Sequence, residues 1–265
     1  MWWIVTGIGL VVAGCGDNLA PDRLDDVPLP CGPVTTTFEI DHADPSAIVA
    51  QEIDLDGDHR PDDALGRAHD LIAGFAPDFK AAERFGGRLA TDVAWTLALD
   101  ECNGEVRVSI APTDTGVPQL PRAAGQIKPD GTLTAEDGQA QLPLLALADA
   151  TGTQRDPGWR IGDALTIRAT LDGDSLSGVF AMALPTELVR ADLAAPIGEF
   201  LTAQPATQEL RLAVDANHDG VVTAAEVATT TTYQGMTQSD LGLVLDGQPQ
   251  TSIAFRFHAT RHQTE

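Results

Sequence analysis

Apolar residues return at every second position in one stretch of this chain after another, a period suited to an extended strand with one buried face. Val93, Trp95, Leu97 and Leu99 alternate with their neighbours, as do Val106, Val108 and Ile110, then Leu165, Ile167, Ala169 and Leu171, and finally Ile253, Phe255 and Phe257. Residues 34–40 add a β-branched run. Turn formers stand between these stretches at Asn103-Gly104, Asp130-Gly131, Asp137-Gly138 and Asp246-Gly247, where the backbone can take positive φ cheaply. Helical patterning is sparser. Leu65, Ala68, Leu71 and Ile72 share one helical face after Pro61, and residues 187–193 can form a helix after Pro185. Strands do not alternate regularly with helices, which argues against a parallel α/β sheet. The expected fold is mainly β, an antiparallel β-sandwich with small helical insertions.

Residues 215–226 read Asp-Ala-Asn-His-Asp-Gly-Val-Val-Thr-Ala-Ala-Glu. A hard cation needs several oxygens converging from one short segment, and Asp215, Asn217 and Asp219 supply them from positions 1, 3 and 5. Gly220 stands at position 6, where the chain turns sharply. Val221 offers its main-chain carbonyl at position 7, and Val222 is apolar at position 8 and pins the loop to a core. Thr223 at position 9 acts directly or through water, and Glu226 closes the shell with two oxygens. The segment resembles the calcium loop of an EF-hand, and the resemblance implies that these residues hold Ca2+. It covers these twelve residues and not their surroundings. Leu210, Leu212 and Val214 alternate, which predicts a strand entering the loop. After it, Thr223 and Glu226 form a Thr-x-x-Glu capping box that starts a helix. The β-branched run at 229–232 limits that helix to a turn or two. An EF-type loop in a non-standard frame is therefore expected.

Upstream, residues 54–63 read Asp-Leu-Asp-Gly-Asp-His-Arg-Pro-Asp-Asp. Asp54, Asp56, Asp58 and Asp62 occupy positions 1, 3, 5 and 9, with the carbonyl of Arg60 at position 7. The alternation resembles the short aspartate-rich calcium loops of integrin-type propellers and thrombospondin repeats. Position 6 is His59, which enters left-handed backbone more readily than most residues, and position 12 is Leu65 rather than a carboxylate. Four carboxylates in nine residues repel unless something neutralises them. A second and weaker calcium site is expected here.

Residues 1–14 carry no charged side chain, are strongly apolar and lead into Val12-Ala13-Gly14-Cys15. This resembles the lipobox cleaved by bacterial lipoprotein signal peptidase. The resemblance implies that 1–14 is a signal peptide and that Cys15 is lipidated. So short an apolar stretch has the length of a signal-peptide core rather than of a bilayer span. Residues 15–33, rich in Asp and Pro and without periodicity, then read as a tether, and 34–265 as a β-rich calcium-binding domain. The succession of lipobox, acidic tether, Asp-x-Asp-Gly-Asp loop and β-rich domain resembles lipoproteins of myxobacteria, which implies a cell-envelope address; Gly16 after the acylated cysteine, in place of the Asp that retains lipoproteins in the inner membrane, favours the outer membrane.

The formal net charge is −23, from 39 acidic and 16 basic residues. Such a surface repels phosphate backbones and argues against a nucleic-acid partner, while it concentrates divalent cations. Cys31 and Cys102 can pair in an oxidising compartment or remain two thiols. One catalytic pattern is present. Gly173-Asp174-Ser175-Leu176 and the later Asp215 to His218 match the blocks of GDSL hydrolases, which would make Ser175 a nucleophile and His218 its base. The 43 positions between them (218 − 175) are too few for the crossovers of the parallel sheet those enzymes use. His42, His59, His69, His258 and His262 show no paired zinc spacing. The reading is calcium binding by a lipid-anchored, non-enzymatic envelope protein, in which calcium stabilises loops of a domain that meets a protein or glycan partner. The alternative is an envelope hydrolase with structural calcium.

Overall fold

A closed antiparallel barrel of eight strands stands where the period-two pattern predicts a sandwich. The computed structural model describes residues 29, 31–44, 53–60, 62–64, 66, 95–113, 120–143, 159–203, 208–242, 244–245 and 247–262. In chain order the strands are β1 (Val34–Asp44), β2 (Trp95–Cys102), β3 (Glu105–Pro112), β4 (Ala123–Ile127), β5 (Thr132–Pro143), β6 (Trp159–Asp172), β7 (Ser175–Pro185), β8 (Val244–Leu245) and β9 (Gln248–Arg261). Each of β1 to β6 pairs with the next, β7 pairs with β9, and β9 returns to β1 and closes the ring. The two-residue β8 pairs with the start of β9. Alternation reports that one face of a strand is buried, and a sandwich and a barrel bury one face alike. The pairing of the first long strand with the last decides between them, and it leaves no local mark. Bends complete the closure: β1 shifts register between Ile40 and His42, and β5 does so around Asp137 (φ 65°). In β6 the shift falls at Ala164 (φ 54°). Such bulges curl long strands. Asp137-Gly138 is thus a bulge inside β5, a correction to the expected turn. Asn103-Gly104 does form the β2–β3 hairpin, with φ of 55° and 84°.

Inside the ring, Phe38, Trp95, Leu97, Ile110, Leu133, Leu165, Phe180 and Phe257 are fully buried. The Phe180 ring centroid lies 5.2 Å from Phe255, 5.5 Å from Phe257 and 6.2 Å from Trp95. The interior is therefore a packed core and not a pore, while outward positions such as Asp41, His42, Glu101 and Glu105 are exposed. Apolar side chains inside and charged ones outside are the reverse of a membrane barrel's arrangement. Among the described residues no helix is long and apolar enough to cross a membrane.

Among the described residues, four helices follow β7: α1 (Thr186–Ala203), α2 (Gln208–Val214), α3 (Ala224–Thr229) and α4 (Thr231–Met236). Val189, Leu193, Ala194, Phe200 and Leu201 of α1 belong to the same apolar cluster as the barrel interior. The Tyr233 hydroxyl of α4 donates to the Arg190 carbonyl and fastens α4 to α1. The strand expected over Leu210, Leu212 and Val214 is instead α2. None of its residues is buried, and Leu210 and Leu212 are 42% and 53% exposed, so their spacing carries no packing information. Cys31 and Cys102 form a disulfide that fastens the chain ahead of β1 to the end of β2, with Cα atoms 5.8 Å apart. The helix expected over Leu65, Ala68, Leu71 and Ile72, the signal peptide 1–14 and Cys15 all lie outside the described residues.

Candidate metal centres

The loop at 215–226 runs from the end of α2 into α3, between two short helices. Its side chains fold the backbone from within. Asp215 Oδ2 accepts from the Gly220 N–H at 2.8 Å, Asn217 Oδ1 from Asp219 at 2.9 Å, and Asp219 Oδ1 from Val221 at 2.8 Å. These contacts need left-handed backbone at two places, His218 (φ 60°) and Gly220 (φ 87°). The expected capping box is present: Thr223 Oγ1 accepts from the Glu226 N–H at 3.3 Å, and Glu226 Oε2 accepts from the Thr223 N–H at 2.9 Å. Glu226 Oε1 reaches back to the N–H groups of Ala216 and Asn217 at 3.0 and 3.4 Å. The Thr223 N–H first, then its hydroxyl and the more distant amides, hold this carboxyl below the ordinary glutamate range. Val222 is buried against the core, as position 8 requires, whereas Val221 is exposed.

One atom of this loop is singular. Asp215 is 2% exposed, and its Oδ1 is buried with no hydrogen-bond donor among the described residues. A lone buried carboxylate oxygen is costly. Its partner oxygen holds Gly220, so Oδ1 is the atom left for a cation at position 1.

The loop at 54–62 lies against the outside of the barrel. Ile53 and Leu55 pack on Val179, Ala181 and Ala254, which alternate with the inward Phe180 and Phe255 along β7 and β9. The Asp62 N–H donates to the Ile53 carbonyl at 2.9 Å and shuts the base of the loop. Asp54 accepts from Gly57 through Oδ1 at 2.6 Å and from His59 through Oδ2 at 2.8 Å. Asp56 Oδ1 accepts from Asp58 at 3.1 Å, and Asp58 Oδ1 from Arg60 at 2.7 Å. Position by position this is the bonding of the other loop: residue 1 accepts from residue 6, residue 3 from residue 5, and residue 5 from residue 7. The left-handed positions are also shared, since Gly57 has φ 78° and His59 φ 65°. Gly and His have exchanged places between positions 4 and 6. His59 therefore adopts the turn that Gly220 makes in the second loop. Comparison of Asp-x-Asp-Gly-Asp-His with Asp-x-Asn-His-Asp-Gly would have revealed this, had position 4 been counted as a turning point too.

Among the described residues, Asp54, Asp56 and Asp58 bring carboxylate oxygens within 4.8 Å of one another. Asp62 is 3% exposed and accepts from the Leu55 N–H at 2.5 Å. Burial pushes its carboxyl up to about 6, the Leu55 amide opposes this, and the charges of Asp56 and Asp240 add to it. At Asp54 burial acts in the same direction, but the amides of His59, Gly57 and Asp58 outweigh it and the carboxyl is lowered. Asp56 Oδ2 accepts from the Gly242 N–H at 2.6 Å, and Asp240 Oδ1 from the Ser252 N–H at 2.9 Å. The segment after α4 thus joins this loop to β9, a contact that no sequence spacing announces. The ion pairs His59 with Asp54, at 3.6 Å, and Arg60 with Asp58, at 3.9 Å, involve highly exposed basic groups and contribute little.

Ser175 begins β7 and donates its hydroxyl to the Asp172 carbonyl at 3.0 Å within the β6–β7 turn. His218 is exposed in the second loop. No known protein family matches the chain, and no curated protein or solved structure matches it.

Proposed function

We propose that this chain binds calcium at both loops and that the cations brace the loops of a non-enzymatic, lipid-anchored envelope domain. The buried, donorless Oδ1 of Asp215 carries the reading, because the other oxygen of the same carboxylate already holds the turn. In the second loop Asp215, Asn217 and Asp219 would bind through side-chain oxygens, Val221 through its carbonyl, and Thr223 and Glu226 would complete the shell. In the first loop Asp54, Asp56, Asp58, the Arg60 carbonyl and Asp62 would serve. The shared bonding of the two loops supports two occupants of one kind. Glu226 now satisfies backbone amides with both oxygens, so bidentate binding exchanges those hydrogen bonds for metal contacts. Dissociation constants on the order of 10⁻⁴ to 10⁻³ M, as in extracellular modules, suit such sites.

After EGTA treatment, a calorimetric titration with calcium should show two binding events. Glu226→Gln should remove one and Asp58→Asn the other. Calcium at a hundred times Kd should raise folding stability by about 2.7 kcal/mol for each occupied site, read as a higher Tm. A flat titration with identical melts in EGTA and in calcium would refute the reading.

The Cys31–Cys102 disulfide supports an oxidising compartment outside the cytoplasm. Lipid at Cys15 would hold the barrel at the membrane surface, where an extracytoplasmic protein or glycan is its partner; two acyl chains suffice for stable anchoring. Cys15→Ala should abolish labelling by a palmitate analogue and leave the precursor unprocessed or release the domain to the soluble fraction. Undiminished labelling would place the lipid elsewhere.

A further inference from the structure

The side chain of Thr202, near the end of α1, stands between that helix and the calcium loop. Its Oγ1 donates to the Gly198 carbonyl at 2.9 Å, one turn back, and accepts from the Val222 N–H at 2.8 Å. The first bond directs the hydroxyl hydrogen into the helix and leaves the lone pairs for the loop. Val222 is 4% exposed, so its N–H has no ready access to water. Gly198 makes the approach feasible, because a Cβ there would lie 2.6 Å from the Val222 carbonyl oxygen.

That N–H belongs to the same peptide unit as the Val221 carbonyl. A trans peptide is planar, with its C=O and N–H pointing in opposite directions, and no cis bond occurs among the described residues. Drawing the Val222 N–H toward α1 therefore turns the Val221 oxygen away from α1. It also polarises the amide and makes that oxygen a stronger acceptor. The Val221 carbonyl is the position 7 ligand, the one member of the shell whose direction no side-chain rotamer can adjust.

We infer that Thr202 is a positioning residue for calcium: from outside the loop it sets the direction of the Val221 carbonyl and so couples occupancy of the loop to the seating of α1 on the barrel. This rests on the calcium reading of residues 215–226. The coupling runs both ways, since whatever holds the carbonyl for the cation is itself held by the cation.

The test uses the ¹⁵N-labelled full chain, stripped with EGTA and titrated with calcium chloride as wild type, Thr202→Val, Thr202→Ala and Thr202→Ser. In the wild type the Val222 amide nitrogen should shift as its peptide carbonyl takes the metal. Thr202→Val should weaken binding at this loop about tenfold, the equivalent of one hydrogen bond, and diminish the Val222 shift. Thr202→Ser should restore both, and the 54–62 loop should bind as before in every variant. Thr202→Ala makes the same comparison where the branched valine disturbs α1. Binding by Thr202→Val and Thr202→Ala equal to wild type would overturn the inference. So would a Thr202→Ser variant as weak as Thr202→Ala, which would assign the effect to the lost methyl. A wild type that binds no calcium at 215–226 would instead overturn the reading beneath it.

Discussion

Phe180→Ala should lower folding stability by about 3–5 kcal/mol, the range for removing a fully buried aromatic ring. Phe180 has no exposed surface and lies on β7, paired on one side with β6 and on the other with β9. Its ring touches Phe255 and Phe257 on the neighbouring strand and meets Trp95 from across the interior. Strands that already pair on both edges cannot move inward independently, so the cavity would collapse little and the loss should fall in the upper half of that range. Urea denaturation, followed by far-UV circular dichroism at fixed calcium, would measure it as a lower midpoint with an unchanged slope. Leu212→Ala, on the exposed α2, should stay within about 0.5 kcal/mol and serves as the control. A loss at Phe180 no larger than at Leu212 would show that the barrel has no packed interior.

Removing the disulfide should have an effect of similar size. Cys31 and Cys102 are 71 residues apart, and a cross-link over that span limits the unfolded chain enough to stabilise the fold by about 4 kcal/mol on the chain-entropy account. The double variant Cys31→Ser with Cys102→Ser avoids leaving a free thiol and should lose most of that. Treatment of the wild type with reductant should reproduce the loss, and the double variant should no longer respond to reductant. Equal stability of the oxidised wild type and the double variant would mean that the two cysteines do not pair in the folded protein. Stability here matters to function, because β2 pairs with β1, and β1 is the strand that closes the ring against β9.

The two loops sit where the barrel's own hydrogen bonding does not reach. One covers the outer face of β7 and β9 through Ile53 and Leu55, and is tied by Asp56 to Gly242 beyond α4. The other is bound to α1 through Thr202. With cations in place, each loop would fasten a connecting segment to the barrel wall. Without them the clustered charges of Asp54, Asp56 and Asp58 repel and weaken the first of these attachments. A structural role follows from this placement more readily than a switch does, because the helices flanking 215–226 are one or two turns long and of the apolar residues of α2 only Val214 is partly buried against the core.

Much of this protein can be read from its residues in order. The inward positions of β2, β3, β6 and β9 are those that alternation marks, because side chains on a strand point to opposite faces whatever sheet they join. The turns of the two acidic loops were equally legible, since Asp and Asn at fixed spacings accept from amides two to five residues away and Gly supplies left-handed backbone. The Thr223 and Glu226 cap is local for the same reason. Sandwich or barrel was decided elsewhere, by β1 meeting β9 and by bulges at Asp137 and Ala164 that bend strands a linear pattern treats as straight. The α2 segment misled because two of its three alternating apolar residues, Leu210 and Leu212, are exposed and their spacing reports no buried face. Thr202, Gly198, Asp240 and Gly242 acquire their parts at the loops through contacts between segments far apart in the chain. Short-range bonding is written in sequence spacing, whereas partners across the fold are set by packing, which only the folded chain specifies.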